Sequence, residues 1–235
     1  MPKIAFVGAG SVEFTRNLLG ELYLGDENYT AAIDEFNEVV RQNPRWWLPY
    51  RNLVLAKSAT KDQDGAVAAL KAGVANTQEP MLVVDLAAVY ERQGHVEEAV
   101  RLYEDLHERQ PHLQLAANNL AMLLVTYRKD QASLDRARDL TAGFANSDVG
   151  ALLDTHGWVL LKRGEVPQAL AALEKAAREA PDSRQIRYHL GMAQLKAGQS
   201  DRARVTLESA LSGGAPVAGT DEARLALAQL KGQAG

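Results

Sequence analysis

The five histidines, His95, His107, His112, His156 and His189, have the widest chemical repertoire in this chain, and their spacing limits its use. Two histidines that bind zinc from one helix stand four apart with a glutamate between them, and no His-Glu-x-x-His occurs. His107 and His112 are separated by Pro111, and their spacing leaves one helical face. Asp154, Thr155 and His156 supply an acid, a hydroxyl and an imidazole, yet consecutive helix residues point in different directions and form no constellation. No Gly-x-Ser-x-Gly, phosphate-binding loop or paired-carboxylate motif is present. The chain has no cysteine, which excludes disulfides, thiolate chemistry and cysteine-based zinc sites. These residues predict no catalytic site, no metal and no cofactor, and His156 reads as a partly buried packing histidine.

The N-terminal stretch carries a different kind of chemistry. Lys3-Ile4-Ala5-Phe6-Val7-Gly8-Ala9-Gly10-Ser11 reads as a short apolar strand entering a glycine turn, where backbone N–H groups could approach a pyrophosphate. The third fingerprint glycine is replaced by Glu13. Asp26 and Glu27, near the position of a ribose ligand, fall in a polar turn with no strand before them, and no later βαβ unit follows. Through Phe14 and Asn17-Leu18-Leu19, the first 22 or so residues resemble the start of the NAD- and metal-dependent family 4 glycoside hydrolases. Residues 1–12 are therefore read as an anomalous, non-functional leader. The alternative function is a remnant of such a hydrolase using the Gly8/Gly10 turn.

Composition narrows the classes further. Of 235 residues, 46% are hydrophobic and 24% charged, as in an ordinary folded protein. Net charge is −4, with 26 basic and 30 acidic residues and no dense basic block, so a nucleic-acid partner is not expected. No apolar run approaches the roughly 18–20 residues that span a bilayer. Ile4–Val7 is shorter than the ~7–15-residue core of a signal peptide. The chain as written is expected to be cytoplasmic, and periplasmic or envelope-associated if it is a piece of a longer protein.

The elements that must position any site come from a repeat. Gly157 recurs as Gly191, Gly164 as Gly198, Ala169 as Ala203, Leu173 as Leu207 and Ala176 as Ala210, each 34 residues on. Such a period marks helix pairs that cannot bury their apolar faces alone and must stack. Small residues recur where two helices approach closely. One column reads Leu19, Leu53, Leu86, Leu120, His156, Leu190, and a second reads Ala32, Ala66, Ala99, Ala137, Ala169, Ala203. The expected fold is an all-α solenoid of about six helix-turn-helix repeats, at 13–46, 47–79, 80–113, 114–149, 150–183 and 184–217. Because Ala137 lies 38 residues after Ala99, about four inserted residues are expected at the Arg128–Gln131 turn. After Ser212-Gly213-Gly214-Ala215-Pro216, a capping helix over Asp221–Lys231 in the 218–235 tail would cover the last repeat with Leu225, Leu227 and Leu230.

Gly157, Gly164, Ala169, Leu173, Ala176 and Pro181, then Leu190, Gly191, Gly198, Ala203 and Ala210, resemble the tetratricopeptide repeat. In that family the first (A) helix of each pair lines a concave groove that holds a peptide or protein. The resemblance implies a non-catalytic scaffold and places Asn17, Arg51, Asn52, Val84 and Asp85 on this face. Further along it places Asn118, Asn119, Met122, Asp154, Trp158, Tyr188, His189 and Met192 there, and these eight form the candidate partner-binding site. Asparagine amides can bond an extended backbone, and Trp and Tyr offer large contact area with few rotors. Packing between neighbouring A helices is the alternative role for Trp158 and Tyr188. The family's carboxylate clamp is not matched, since Arg51 and Asn52 lack a Lys or Arg at the corresponding positions of the next repeats. Asn118-Asn119-Leu120-Ala121 and Asp154–Leu161 resemble bacterial envelope tetratricopeptide proteins associated with exopolysaccharide export and exosortase-type sorting, which implies a role in polysaccharide export or assembly.

Overall fold

The computed structural model describes residues 12–128, 130–212 and 219–232. Among them are thirteen α-helices, one 3₁₀ segment and no strand. The Lys3–Ser11 strand and glycine turn, with Gly8 and Gly10, lie outside the described residues. Val12 already opens the first helix.

Two compact units divide the chain after Gln110. The N-terminal unit holds α1 (Val12–Gly25), α2 (Tyr29–Gln42), α3 (Trp47–Ala59), α4 (Gln63–Thr77), α5 (Pro80–Arg92) and α6 (Val96–Arg109). The C-terminal unit holds α7 (Gln114–Tyr127), α8 (Gln131–Thr141), a 3₁₀ turn over Ala142–Asn146, α9 (Gly150–Lys162), α10 (Val166–Glu179), α11 (Arg184–Lys196), α12 (Ser200–Leu211) and α13 (Thr220–Gly232). Odd-numbered helices up to α11 are the A helices, and each packs on the even-numbered helix that follows.

Steric fit at a glycine joins three of the pairs. A Cβ on Gly157 would lie 2.6 Å from Leu173 Cγ, and one on Gly191 would lie 2.7 Å from Leu207 Cγ. Gly20 faces the Phe36 ring in the same way, at 2.6 Å. Three residues connect the two helices of every pair. Where described, the middle one has positive φ: Glu27, Lys61, Gly94, Gly164 and Gly198. Glycine reaches that region without a Cβ clash, which is why three of the five repeats place it there. Asn28, Asp62 and Asp130 close three of the turns by accepting a hydrogen bond from the N–H three residues on.

The fourth pair departs from the sequence reading. Its turn has the same three residues as the others, so nothing is inserted at Arg128–Gln131. Ser133 follows Ala121 by the spacing that separates Gly157 from Ala169, and it is buried. Ser133 therefore holds the small-residue column, and Ala137 stands where Phe36, Leu173 and Leu207 stand elsewhere. An alanine column cannot by itself distinguish one helical turn from the next. The surplus residues lie after α8, which is only 11 residues long and runs into the 3₁₀ segment. The capping helix needs a correction too. Ala223, Ala226, Leu227 and Leu230 form its buried stripe, whereas Leu225 is 65% exposed because it falls off that stripe.

Candidate functional site

Three A helices of the C-terminal unit build the site. Asp154, Trp158 and Lys162 are four apart on α9 and share a stripe, as do Gln185, Tyr188, His189, Met192 and Lys196 on α11. Met122 and Val125 come from α7.

The centre is a cluster of rings. Trp158 stacks on His189 with centroids 4.0 Å apart and planes 18° apart, and Tyr188 tilts against both. His189 Nδ1 lies 2.8 and 2.9 Å from the two carboxylate oxygens of Asp154, across the α9–α11 gap. Gln185 Nε2 donates to His189 Nε2 at 2.9 Å, so the ring proton resides on Nδ1 and is donated to Asp154. At 1% exposure, both ring nitrogens of His189 are thus satisfied within the unit. Tyr188 donates its hydroxyl to Glu222 Oε2 of α13 at 2.7 Å. Burial, with this bond and the Glu222 charge beside it, pushes the phenol well above its ordinary range. Gly219 sits against the hydroxyl end of the Tyr188 ring, where a Cβ would come within 2.1 Å of Cζ. Lys162 places its ammonium 4.2 Å from the centroid of the Trp158 ring.

A cavity of about 670 Å³ opens over this cluster, walled by Met122, Val125, Trp158, Tyr188, His189 and Glu222, with Lys162 and Arg128 also on its lining. A second, of about 460 Å³, shares Trp158, Lys162 and Glu222 and adds Met192, Val166 and Lys196.

The structure thus brings together six of the eight candidate residues. Met122, Trp158, Tyr188 and His189 line the first cavity, Met192 lines the second, and Asp154 anchors His189 from behind. Trp158, Tyr188 and Met192 are buried, so they form the floor and leave the half-buried Met122 and exposed Lys162 nearer the rim. Asn118 and Asn119 line neither cavity. Asn118 donates to Asn119 Oδ1 at 3.1 Å, and its own Oδ1 is buried with no hydrogen-bond partner among the described residues. His156 packs on α8, its Nδ1 3.3 Å from Thr141 Oγ1. No group of three or more His, Cys, Asp or Glu side chains that could hold a metal occurs among the described residues.

Sequence reasoning missed Lys162, Lys196 and Glu222. A signal existed: Lys162 and Lys196 are 34 apart, each one turn beyond Trp158 or Met192, and Glu222 is 34 beyond Tyr188. The family's contact positions end short of these lysines.

Tetratricopeptide-repeat family models match residues 160–216 and 82–111. Among solved structures, the chain is similar to one from the APC/C hetero-tetramer Cut9–Hcn1, with TM-score 0.64 and 13% identity over 93% of this chain and 42% of that one. It spans less than half of that relative's length. TTC0263, a thermophilic tetratricopeptide-repeat protein of Thermus thermophilus, matches with TM-score 0.52 and 21% identity over 94% and 99% of the two chains. YrrB, described as a tetratricopeptide-repeat protein with an unusual peptide-binding site, matches with TM-score 0.54 and 16% identity over 75% and 90%. These likenesses show the fold. None of the curated proteins matches the sequence.

Proposed function

We propose that this chain, an all-α tetratricopeptide-repeat protein, is a non-catalytic interaction scaffold that holds a segment of a protein partner on the A-helix face of its C-terminal unit. One observation carries the reading: the walled cavity over Trp158, Tyr188 and His189, with the His189 nitrogens already tied to Asp154 and Gln185 and the Tyr188 hydroxyl to Glu222. A floor held by its own hydrogen bonds keeps its shape, so a ligand spends little of its binding energy on ordering it. Buried aromatic rings at the base of a concavity are the usual anchors of an interface. No helix among the described residues is long and apolar enough to cross a membrane. A setting in envelope polysaccharide export is a proposal that rests on the two sequence phrases and on no feature of the site.

Site-specific photocrosslinking tests the reading. A photoreactive residue replaces either Met122, on the cavity wall, or Val205, which is 60% exposed on α12. In native lysate the Met122 probe is expected to give discrete adducts that the Val205 probe does not. Identical adducts from both positions, or adducts from Val205 alone, would sink it.

A further inference from the structure

We infer that the cavity over Met192 and Trp158 is a subsite for acidic side chains, and that the partner segment it takes alternates carboxylates with apolar residues. This rests on the scaffold reading above and specifies the chemistry of its ligand. The floor is apolar, with Trp158, Leu161, Val166 and Met192 in its lining. Around it stand three cations, Lys162, Arg163 and Lys196, and one acid, Glu222.

Arg163 is already neutralised by Asp135 and Glu165. Glu222 is engaged by the Tyr188 hydroxyl. Lys162 and Lys196 are both exposed, and neither has a carboxylate within ion-pair distance among the described residues. Lys162 rests instead on the Trp158 face, which fixes its charge at the cavity edge. The helical repeat sets the two lysines on successive A helices of the unit, 34 residues apart, so they form a short cationic edge along an apolar floor. A segment with acid and apolar residues alternating satisfies both features, because neighbouring side chains of an extended chain point to opposite sides. A basic segment would meet two unneutralised ammonium groups.

The test is fluorescence polarisation of the full chain with end-capped, fluorescein-labelled decapeptides. One peptide alternates Glu and Leu, a second alternates Gln and Leu, and a third is the Gln/Leu peptide with a free C-terminal carboxylate. Saturable binding of the Glu/Leu peptide is expected, weakened about tenfold or more by Lys162→Glu and by Lys196→Glu, and reduced by added salt. Both lysines are exposed, so these variants keep the fold; circular dichroism checks this. Either Gln/Leu peptide binding as tightly as the Glu/Leu peptide overturns the inference, as does indifference to both lysine substitutions or no binding at all. If the capped Gln/Leu peptide binds equally well and Met122→Glu abolishes it, the acidic preference fails while the scaffold reading stands. Failure of the scaffold reading shows separately, as identical crosslinks from Met122 and Val205.

Discussion

In the N-terminal unit, the A-helix side chains that meet between repeats are amides gathered on a carboxylate. Asn17 and Asn52 both donate to Glu21 Oε1, at 2.8 and 3.3 Å, and the next repeat offers Asp85, whose carboxyl burial pushes upward against the pull of Arg51 and Arg92. In the C-terminal unit the same face holds Trp158, Tyr188 and His189 over a cavity. The helix pairs beneath share a three-residue turn, and the first, fifth and sixth set a glycine against a large side chain. Pairing within a repeat therefore constrains the inner columns and leaves the A-helix face free to vary. Under the proposed function those free columns carry the partner contacts, and the aromatic face is where we place them.

The strongest way to break this comparison is to attack an inner column. Gly191→Val sets a branched side chain against Leu207, whose side chain would be 2.7 Å and backbone nitrogen 3.3 Å from a Cβ. We expect a loss of about 3 kcal/mol. With 5-fluorotryptophan labelling, urea titration followed by ¹⁹F NMR resolves Trp46 and Trp47 in one unit from Trp158 in the other. The Trp158 transition should move to lower urea. An unshifted midpoint would mean that close approach at this column is dispensable.

Next in size is the polar core of each face. Asp154→Ala leaves His189 Nδ1 unpaired in a site 1% exposed, at a cost of about 2 kcal/mol. Glu21→Ala frees the buried amides of Asn17 and Asn52, 4% and 7% exposed, but the half-buried position of the lost carboxylate admits water to them, so the cost should be about 1 kcal/mol. The Asp154 variant should also shift the Trp158 fluorine resonance, because the stacked imidazole loses its anchor. Equal costs at the two sites would erase the distinction between the units.

The turns give effects of opposite sign. Gly164 has φ +83° with open space around it, so Gly164→Ala adds backbone strain alone, about 1 kcal/mol. Lys61 already bears that strain at φ +64°, and Lys61→Gly should gain about 0.5 kcal/mol once the added freedom of the unfolded chain is subtracted. Thermal denaturation of the two variants should move in opposite directions.

These inner features were legible because steric exclusion leaves a mark in residue type. Gly157, Gly191 and Gly164 could be read from the ladder, since a close approach or a positive φ admits little else. Ala137 was misplaced by one helical turn because alanine fits several buried positions equally well, and Ser133 carried the column instead. On the A-helix face, Trp158 and Tyr188 could be located but not their exposure, which depends on α13 and the Gly219 contact. Lys162 and Lys196 obeyed the repeat, yet an exposed lysine looks the same on a solvated helix as on a cavity edge. Only the walls around it separate the two.

His156 offers the smallest effect and a sharp sign. It occupies a leucine column, and burial lowers its affinity for a proton below that of an unfolded histidine, near 6.5, with Arg138 adding to this and Glu165 opposing it. Above that pH both states are neutral at this residue and it contributes no pH dependence. As pH falls through 6.5 toward the lower folded value, the unfolded chain takes up the proton first, and stability drops. Between pH 7 and 5.5 the loss should stay under about 1.4 kcal/mol. His156→Leu restores the column residue, and Thr141 keeps its bond to the Ala137 carbonyl at 2.9 Å. The variant should therefore show a flatter stability profile over that range in the Trp158 transition, with the Trp46 and Trp47 transitions unchanged. If wild type and variant lose stability in parallel on acidification, the acid sensitivity of this unit belongs to another group and His156 is indifferent packing.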